Sequence, residues 1–590
     1  DQSLLVRLDG LEIYEPYHLK DFDGALSIID VASIGGVDVI TGGFGAEFGN
    51  RLTGVFDMRS TSALSERPNT SVGISLSNAR FMSQGSFAGN NGLWLFSARR
   101  GYLDILLDLI GETSRLDPTY YDLLGKVVYQ LSPAHRLAVH ALRAGDHGFF
   151  EDDDGVGSIT SSYGSTYGWL SWDFLLNDRL QSNTQVSAGN LDWVRDASEH
   201  GTGNDFDVRE DRDFAFYGVK QDWRFSTDRL FLKWGGEARV GTADYNYYNR
   251  IGRNRVEGDQ VITHYDSLDI ALAPEGTNTS VYGAARIRPW SPLVLEAGVR
   301  WDRQSHTDDA QLLPRVHAAF AVNDRTTLRA TWGKYAQSQQ IFLLPVQDGD
   351  TVFYNADRAE QFVVGIERVI TPGVTARIEA YRRVESELRP RYRNLRTAPE
   401  PVAEIEDDRV RIDASEGLAR GVEFMLQKPA GRTSWSLSYT VARAYDVVEN
   451  RKIDRQLDQR HTFYVDYSIA PSPAWRLSAA WQYHTGWPAT ATTFRVDTLS
   501  NGGVWVTGQP GEIFAERLPS YHRLDLRVTR AFPVKRGRLS VFIDVFNAYD
   551  RNNPQSFEYN VRYTNGRLNV EQVTEPLLPR LPTIGATWEF

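Results

Sequence analysis

The chain has 590 residues, no cysteine and a formal net charge of −12. Without cysteine it has neither a disulfide framework nor a thiolate metal site, and its acidic balance argues against a nucleic-acid partner. No run of 18 apolar residues offers a transmembrane helix. The mean hydropathy of −0.40 does not exclude a membrane protein, because only alternate residues of a β-barrel face lipid.

Residues 1–60 read as short strands broken by glycines and acids: LLVRLDG, VDVITGG and GVFDMRS. Gly42, Gly43, Gly45, Gly49 and Gly54 imply tight turns and close backbone packing. Between the strands lies a polar-aromatic loop, EIYEPYHLKDFDG.

From about residue 70 the pattern changes. Ten short polar turns, at 90–92, 132–136, 177–179, 226–229, 289–292, 323–325, 371–373, 429–432, 471–473 and 533–537, separate segments of alternating polarity. In one of these, Trp435, Leu437, Tyr439 and Val441 share a face opposite Ser434, Ser436, Ser438 and Thr440. In another, Leu524, Leu526 and Val528 oppose Arg523, Asp525 and Arg527. Longer connections are expected at 104–120, 145–164, 195–212, 245–278, 305–311, 337–358, 385–419, 445–458, 485–520 and 548–582, with a tight reversal at 78–79. Eleven hairpins make about 22 strands, the size of barrels with a plugged lumen. The expected fold is therefore all-β, a transmembrane antiparallel β-barrel from 64–590 with a partial plug domain, 1–63, in its lumen. Short turns at one end and long loops at the other, with 15 Trp and 27 Tyr to supply interfacial girdles, fit that architecture.

Several motifs carry a family resemblance. IGGVDVITGGFGAEFGNRLTGVFDM at 34–58 and LDG at 8–10 resemble the second half of the plug of TonB-dependent outer-membrane receptors. ARGVEF (419–424), DQRHTF (458–463), TGWP (485–488), LPSYHRLDLR (518–527) and FNAYDRNNP (546–554) resemble its barrel. The terminal PTIGATWEF looks like the family's assembly signal, implying recognition of Phe590 by the outer-membrane barrel assembly machinery. The plug-motif residues are Leu8, Asp9, Gly10, Gly42, Gly43, Gly49, Arg51 and Gly54.

The resemblance implies a receptor that sits in outer-membrane lipid, binds an extracellular ligand and imports it by the TonB complex. The family's TonB box and first plug half should precede Asp1, and no signal peptide is present. The sequence therefore reads as cleaved or truncated at that end. Where relatives carry Arg-Ile-Glu-Val, a latch to the barrel wall, this chain has Gly36, Val37, Asp38 and Val39. Arg51 and Arg59 are the expected substitutes.

Tyr14, Tyr17 and His18 in the plug loop either point up to a ligand vestibule, as the resemblance implies, or pack against the wall. Tyr163, Tyr167, Tyr245, Tyr247 and Tyr248 lie in or beside connections expected to be extracellular. There they serve either as rigid ligand contacts or as an upper aromatic girdle. The acidic run 151–154 lacks EF-hand spacing and reads as a solvated surface. His461 reads as a structural residue at a strand start. The sequence holds no GxSxG elbow, Walker loop or HExxH. No catalytic residue, metal ligand or cofactor is therefore assigned, and the expectation is not an enzyme. The ligand remains open among ferric siderophore, oligosaccharide, peptide and cobalamin. The alternative is a passive porin or adhesin without energised transport.

Overall fold

The structure, a computed structural model, describes residues 4–20, 26–62, 68–103, 115–151, 157–201, 205–258, 260–396, 402–499, 503–564 and 566–590. Twenty-two antiparallel strands close into a barrel, as the turn count predicts. The last strand, Leu581–Glu589, pairs with the first, Asn69–Ser75. Thr70 and Phe590 exchange backbone hydrogen bonds of 2.9 and 2.8 Å across this seam. All ten short turns lie at one end. The repeated Asn-Asp-Arg turn has a local cause: the side chains of Asn177 and Asn323 accept from the backbone N–H of Arg179 and Arg325 at 2.9 and 3.0 Å.

The expected connections need correction. The reversal predicted at 78–79 lies at 76–77, because Asn78 already opens the strand Asn78–Phe87. More importantly, much of the stretches expected as long loops is strand. Gly157–Asn177 and Leu180–His200 have 21 residues each, Asp205–Ser226 has 22 and Leu230–Glu257 has 28. A tilted strand needs only about ten residues to cross a bilayer, so this side stands far above the lipid. Opposite, Trp475–His484 has ten residues and Arg538–Phe546 nine.

The phase of alternation inverts where these long strands leave the membrane. On Leu230–Glu257, exposed Ala238 and Val240 face outward and Arg239 is buried inside. Beyond Thr242 the outward residues are Asp244 and Asn246, while the inward ones, Ala243, Tyr245 and Tyr247, are buried apolar groups. The neighbouring strands do the same: Val186 and Ala188 give way to Asn190 and Asp192, and Tyr217 and Ala215 give way to Asp213 and Asp211. Asp192, Asp213 and Asp244 stand directly opposite one another across three strands.

Residues 4–20 and 26–62 lie in the lumen. Leu4–Leu8, Leu11–Glu12, Ile34–Ile40 and Gly54–Ser60 form a four-stranded sheet in which Leu4–Leu8 runs parallel to Gly54–Ser60. Asp9 and Gly10 are the two-residue turn joining Leu8 to Leu11, with φ of 46° and 90°. A two-residue hairpin turn of this kind needs positive φ at both central positions, which Asp-Gly supplies. At Gly54 the reason for glycine is proximity: a Cβ there would sit 2.5 Å from the Ile40 carbonyl oxygen.

Candidate functional site

The wall grips the lumen segment through cations that reach inward. Buried Arg315 donates to the carbonyls of Phe44, Gly45 and Phe48 and lies 5.0 and 4.4 Å from the ring centres of Phe44 and Tyr335. Lys233 pairs with Glu47 at 2.8 Å, and Arg239 pairs with Glu12 at 2.7 Å. Gln361 binds the Leu52 carbonyl and the Gly43 amide, and Asn50 accepts from Ser338. The expected latch is thus reversed. Arg51 bonds within the segment, to the Leu4 and Asn50 carbonyls and to Glu12. Arg59 pairs with Asp38 of its own sheet. At these contacts the cations come from the wall, and the segment supplies carbonyls and carboxylates. Gly43 and Gly49 lie against wall side chains, Thr331 and Arg300, while Gly42 meets Gln361.

Asp9 is the densest clasp. Its carboxylate accepts from the Ser60 amide at 3.0 Å and the Ser60 hydroxyl at 2.5 Å, and lies 3.4 Å from both Lys126 Nζ and His140 Nε2. Burial opposes its charge, but His140 and Lys126 outweigh burial and hold the carboxyl down at about 2. Glu12, between Arg51 and Arg239, is likewise held below the usual range against its burial.

His18 forms a second cluster nearer the outer end. Its side chain is fully buried. Nδ1 lies 2.5 Å from Asp146 and Nε2 3.3 Å from Asp122, which also binds Arg99 at 2.7 Å. The second oxygen of Asp146 accepts from the Leu19 amide at 3.0 Å. Burial disfavours the imidazolium, but the two carboxylates prevail and raise its pKa. His18 therefore packs against the wall, while adjacent Tyr17 remains exposed.

The predicted tyrosines divide. Tyr14, Tyr167, Tyr245 and Tyr247 converge on one buried aromatic floor with Trp193, Phe214 and Phe216. Tyr167 donates to the Tyr14 carbonyl, and the Tyr14 hydroxyl meets Arg239. Tyr163 flanks the floor, with Lys20 4.8 Å from its ring. Tyr248 faces outward with Asp244 and Asn246 and does not join them. Tyr163, Tyr167, Tyr245, Tyr247 and Tyr248 all lie on barrel strands rather than in loops, whereas Tyr14 lies in the loop of the lumen segment.

The sequence reading missed what covers this floor. The connection 338–356 folds inward and seats Phe342 on Tyr14, Trp193 and Phe214, with ring centres 5.3, 5.7 and 4.4 Å apart. Tyr245 donates to the Ile341 carbonyl and accepts from the Leu344 amide; Arg212 donates to the Phe342 carbonyl. Glu404, from a second connection, binds Arg195 at 2.6 Å and Tyr247 at 3.0 Å. The available signal was the apolar run Ile341-Phe342-Leu343-Leu344, which no solvated loop requires. His461 does open a strand and meets the Tyr439 hydroxyl at 3.0 Å. Positions 152–154 of the acidic run lie outside the described residues. Among the described residues no group of three His, Asp or Glu side chains is placed to hold a metal ion.

On the other side of the lumen, the inner faces of Glu416–Lys428 through Arg538–Phe546 line an open cavity of about 570 Å³. Ser434, Ser436, Asp466, Ser478, Asp525, Arg527 and Asp544 supply its polar wall.

A closed barrel of this size, with a segment clasped in its lumen and outer connections folded over that segment, defines an outer-membrane receptor of the plugged type. Residues 94–548 match the family model described as TonB dependent receptor-like, beta-barrel, and the chain belongs to that family. Solved structures share the fold. The ferric enterobactin receptor PfeA of Pseudomonas aeruginosa is 13% identical with a TM-score of 0.67, covering all of this chain and 90% of that one. The unliganded ferric citrate transporter FecA is 14% identical (TM-score 0.65; 100% and 88% covered). The FrpB iron transporter of Neisseria meningitidis is 14% identical (TM-score 0.66; 100% and 92% covered). No curated protein sequence matches the chain.

Proposed function

We propose that the chain binds an extracellular ligand on the aromatic floor around Tyr14, Tyr167 and Tyr245 and imports it with energy from the TonB complex. In this reading residues 1–63 act as a partial plug within the barrel 64–590, and Phe590 serves barrel assembly. The observation that carries the reading is Phe342: an apolar side chain of the chain's own outer connection fills a buried aromatic site above the lumen segment. A ligand would take that place. The ligand class stays open among ferric chelates, oligosaccharides and peptides.

Outer-membrane vesicles bearing the protein should show saturable binding of at least one member of a panel of iron-55 chelates, labelled maltooligosaccharides and labelled peptides. Tyr167→Ala should weaken it roughly ten- to a hundredfold, as loss of an anchoring aromatic does. No binding of any panel member would count against the reading. A passive pore is the second reading, favoured by the Ser- and Asp-lined cavity on the far wall. Steady single-channel conductance in planar bilayers, insensitive to ligand, would support it instead.

A further inference from the structure

One strand of the tall wall has a neighbour on one side only. Gln260–Leu272 pairs with the upper part of Leu230–Glu257, from the Glu257–Gln260 pair to the Tyr245–Leu272 pair, without a break in register. Glu275–Trp290 takes the lower part, from Thr242 down. The next strand, Leu293–Gln304, stops at Gln304, opposite Asn278, which is itself opposite Arg239. The wall therefore steps down beside Gln260–Leu272 and leaves its far edge bare. Every second residue of an antiparallel strand directs its N–H and C=O away from a given neighbour. On this edge those groups have no backbone partner among the described residues, and only the Leu268 amide meets a side-chain acceptor, Asn249 at 3.0 Å. The paired stretch begins one residue beyond Asp244, so water rather than lipid surrounds it.

A closed barrel abolishes strand edges, which makes 13 residues of open edge in its wall an exception. Exposed edges are ordinarily blunted by proline, lysine or a bulge; QVITHYDSLDIAL has none of these. The hairpin of Pro554–Thr564 and Arg567–Pro576 has open edges too, but it carries a register break and Pro576 and joins no third strand. Gln260–Leu272 is fixed in advance, because its neighbour is continuous with a barrel strand, so docking orders only the incoming chain. Leu268, Ile270 and Leu272 face inward on the apolar cluster of the floor. A strand laid along the edge would bring every second side chain to that same side. Asp266 and Asp269 are exposed and have no ion-pair partner among the described residues. Opposite charges attract across neighbouring strands, so Asp269 favours a cation on the incoming one. Alternating donors and acceptors at strand spacing are answered by another extended backbone.

We propose that the free edge of Gln260–Leu272 docks an extended polypeptide segment of a partner. The segment adds a strand to the wall, with apolar residues alternating inward and a basic residue across from Asp269. This docking lies beside the aromatic floor and needs no import.

The test uses the purified full chain in detergent and fluorescent synthetic peptides that alternate valine with lysine and threonine. One peptide is N-methylated along one edge, which leaves the other edge free to pair and stops the peptide stacking on itself. A second is N-methylated along both edges, and a third repeats the first with glutamate for lysine. Binding is read by fluorescence anisotropy, its place by hydrogen exchange, and folding by heat-modifiable electrophoretic migration. The singly methylated lysine peptide should bind saturably and slow exchange within 260–272, and the doubly methylated peptide should not bind. D269K should bind the lysine peptide roughly three- to tenfold more weakly, and the glutamate peptide more tightly by a similar factor. R562Q/R567Q, on the separate hairpin, should leave both affinities unchanged. Absence of saturable binding, equal binding of the doubly methylated peptide, or protection confined to residues outside 260–272 overturns the proposal. Protection of 260–272 that grows with protein concentration in the absence of peptide assigns the edge to a second copy and overturns it too. None of these results touches binding of chelates or sugars at the aromatic floor, so the two readings fail separately.

Discussion

Replacing His18 by Ala should release the outer part of the lumen segment from the wall. In the intact protein His18, Arg99, Asp122 and Asp146 form a buried group of two cations and two anions. Removing the imidazolium leaves Asp146 with only the Leu19 amide among its described contacts and Asp122 with Arg99. Breaking a buried pair from one side costs about 3–5 kcal/mol, because a charge stays behind without its partner. At about 1.4 kcal/mol per tenfold change, local opening should rise roughly a hundred- to several thousandfold. Hydrogen exchange at the Leu19 amide reads this directly, because that hydrogen bond breaks when the loop leaves Asp146. Adding Asp146→Asn should recover part of the loss. The pH dependence has a fixed sign. The pKa of His18 is raised above its ordinary 6.5, so its stabilisation is full below 6.5 and fades as pH rises through the raised value. Exchange at Leu19, corrected for its intrinsic base catalysis, should therefore accelerate as pH rises through the raised pKa in the intact protein but not in His18→Gln. Exchange in His18→Ala within threefold of the intact protein would refute the reasoning.

Three further outcomes follow from the clasps and the cover. Arg315→Met should loosen residues 44–48 by about 3–4 kcal/mol, since it leaves three carbonyls without their charged donor; amide exchange across that loop measures it, and unchanged protection would speak against the clasp. Asp9→Asn should remove about 2 kcal/mol of docking at neutral pH. Because the Asp9 pKa is depressed, the intact protein should lose the same increment only as pH falls from about 3.8 towards about 2, visible in the pH dependence of exchange at the Ser60 amide. Phe342→Ala should unseat the cover by about 3–5 kcal/mol. The chain has no cysteine, so V352C/L457C carries spin labels only at those two exposed sites; the variant should broaden their distance distribution, and an unchanged single distance would show the cover to be a fixed part of the wall.

The barrel was legible in the sequence wherever lipid enforces a period of two. Leu526 and Val528 face outward while Asp525 and Arg527 line the lumen cavity, as their alternation requires. Legibility failed where the environment changes along one strand. At Tyr245 and Tyr247 the outward positions become polar and the inward ones apolar, so an alternation judged by one phase reads the remainder as loop. The candidate site was half legible. Tyr14, Tyr167, Tyr245 and Tyr247 do meet, because the last three face inward from the wall and Tyr14 reaches the wall from the lumen segment. The partner that meets them, Phe342, comes from a connection whose inward fold depends on contacts about a hundred residues away in sequence. The latch was misread for a related reason: a motif names residues on one side of an interface, and here the cations sit on the other.

The inverted phase of the long strands also fixes how deep the molecule floats. Val186, Tyr217 and Val240 can sit in hydrocarbon, but Asn190, Asp192, Asp213 and Asp244 stand four to six positions further along the same outward faces. Sinking the barrel by one outward row would push carboxylates into the acyl layer, and raising it would strip valines of lipid; both displacements are resisted by rigid strands that cannot bend to accommodate them. The tall wall thus acts as a draught mark. It pins the waterline on one flank, and it holds the aromatic floor and its cover clear of the bilayer, where a solute in the medium meets them before it meets lipid.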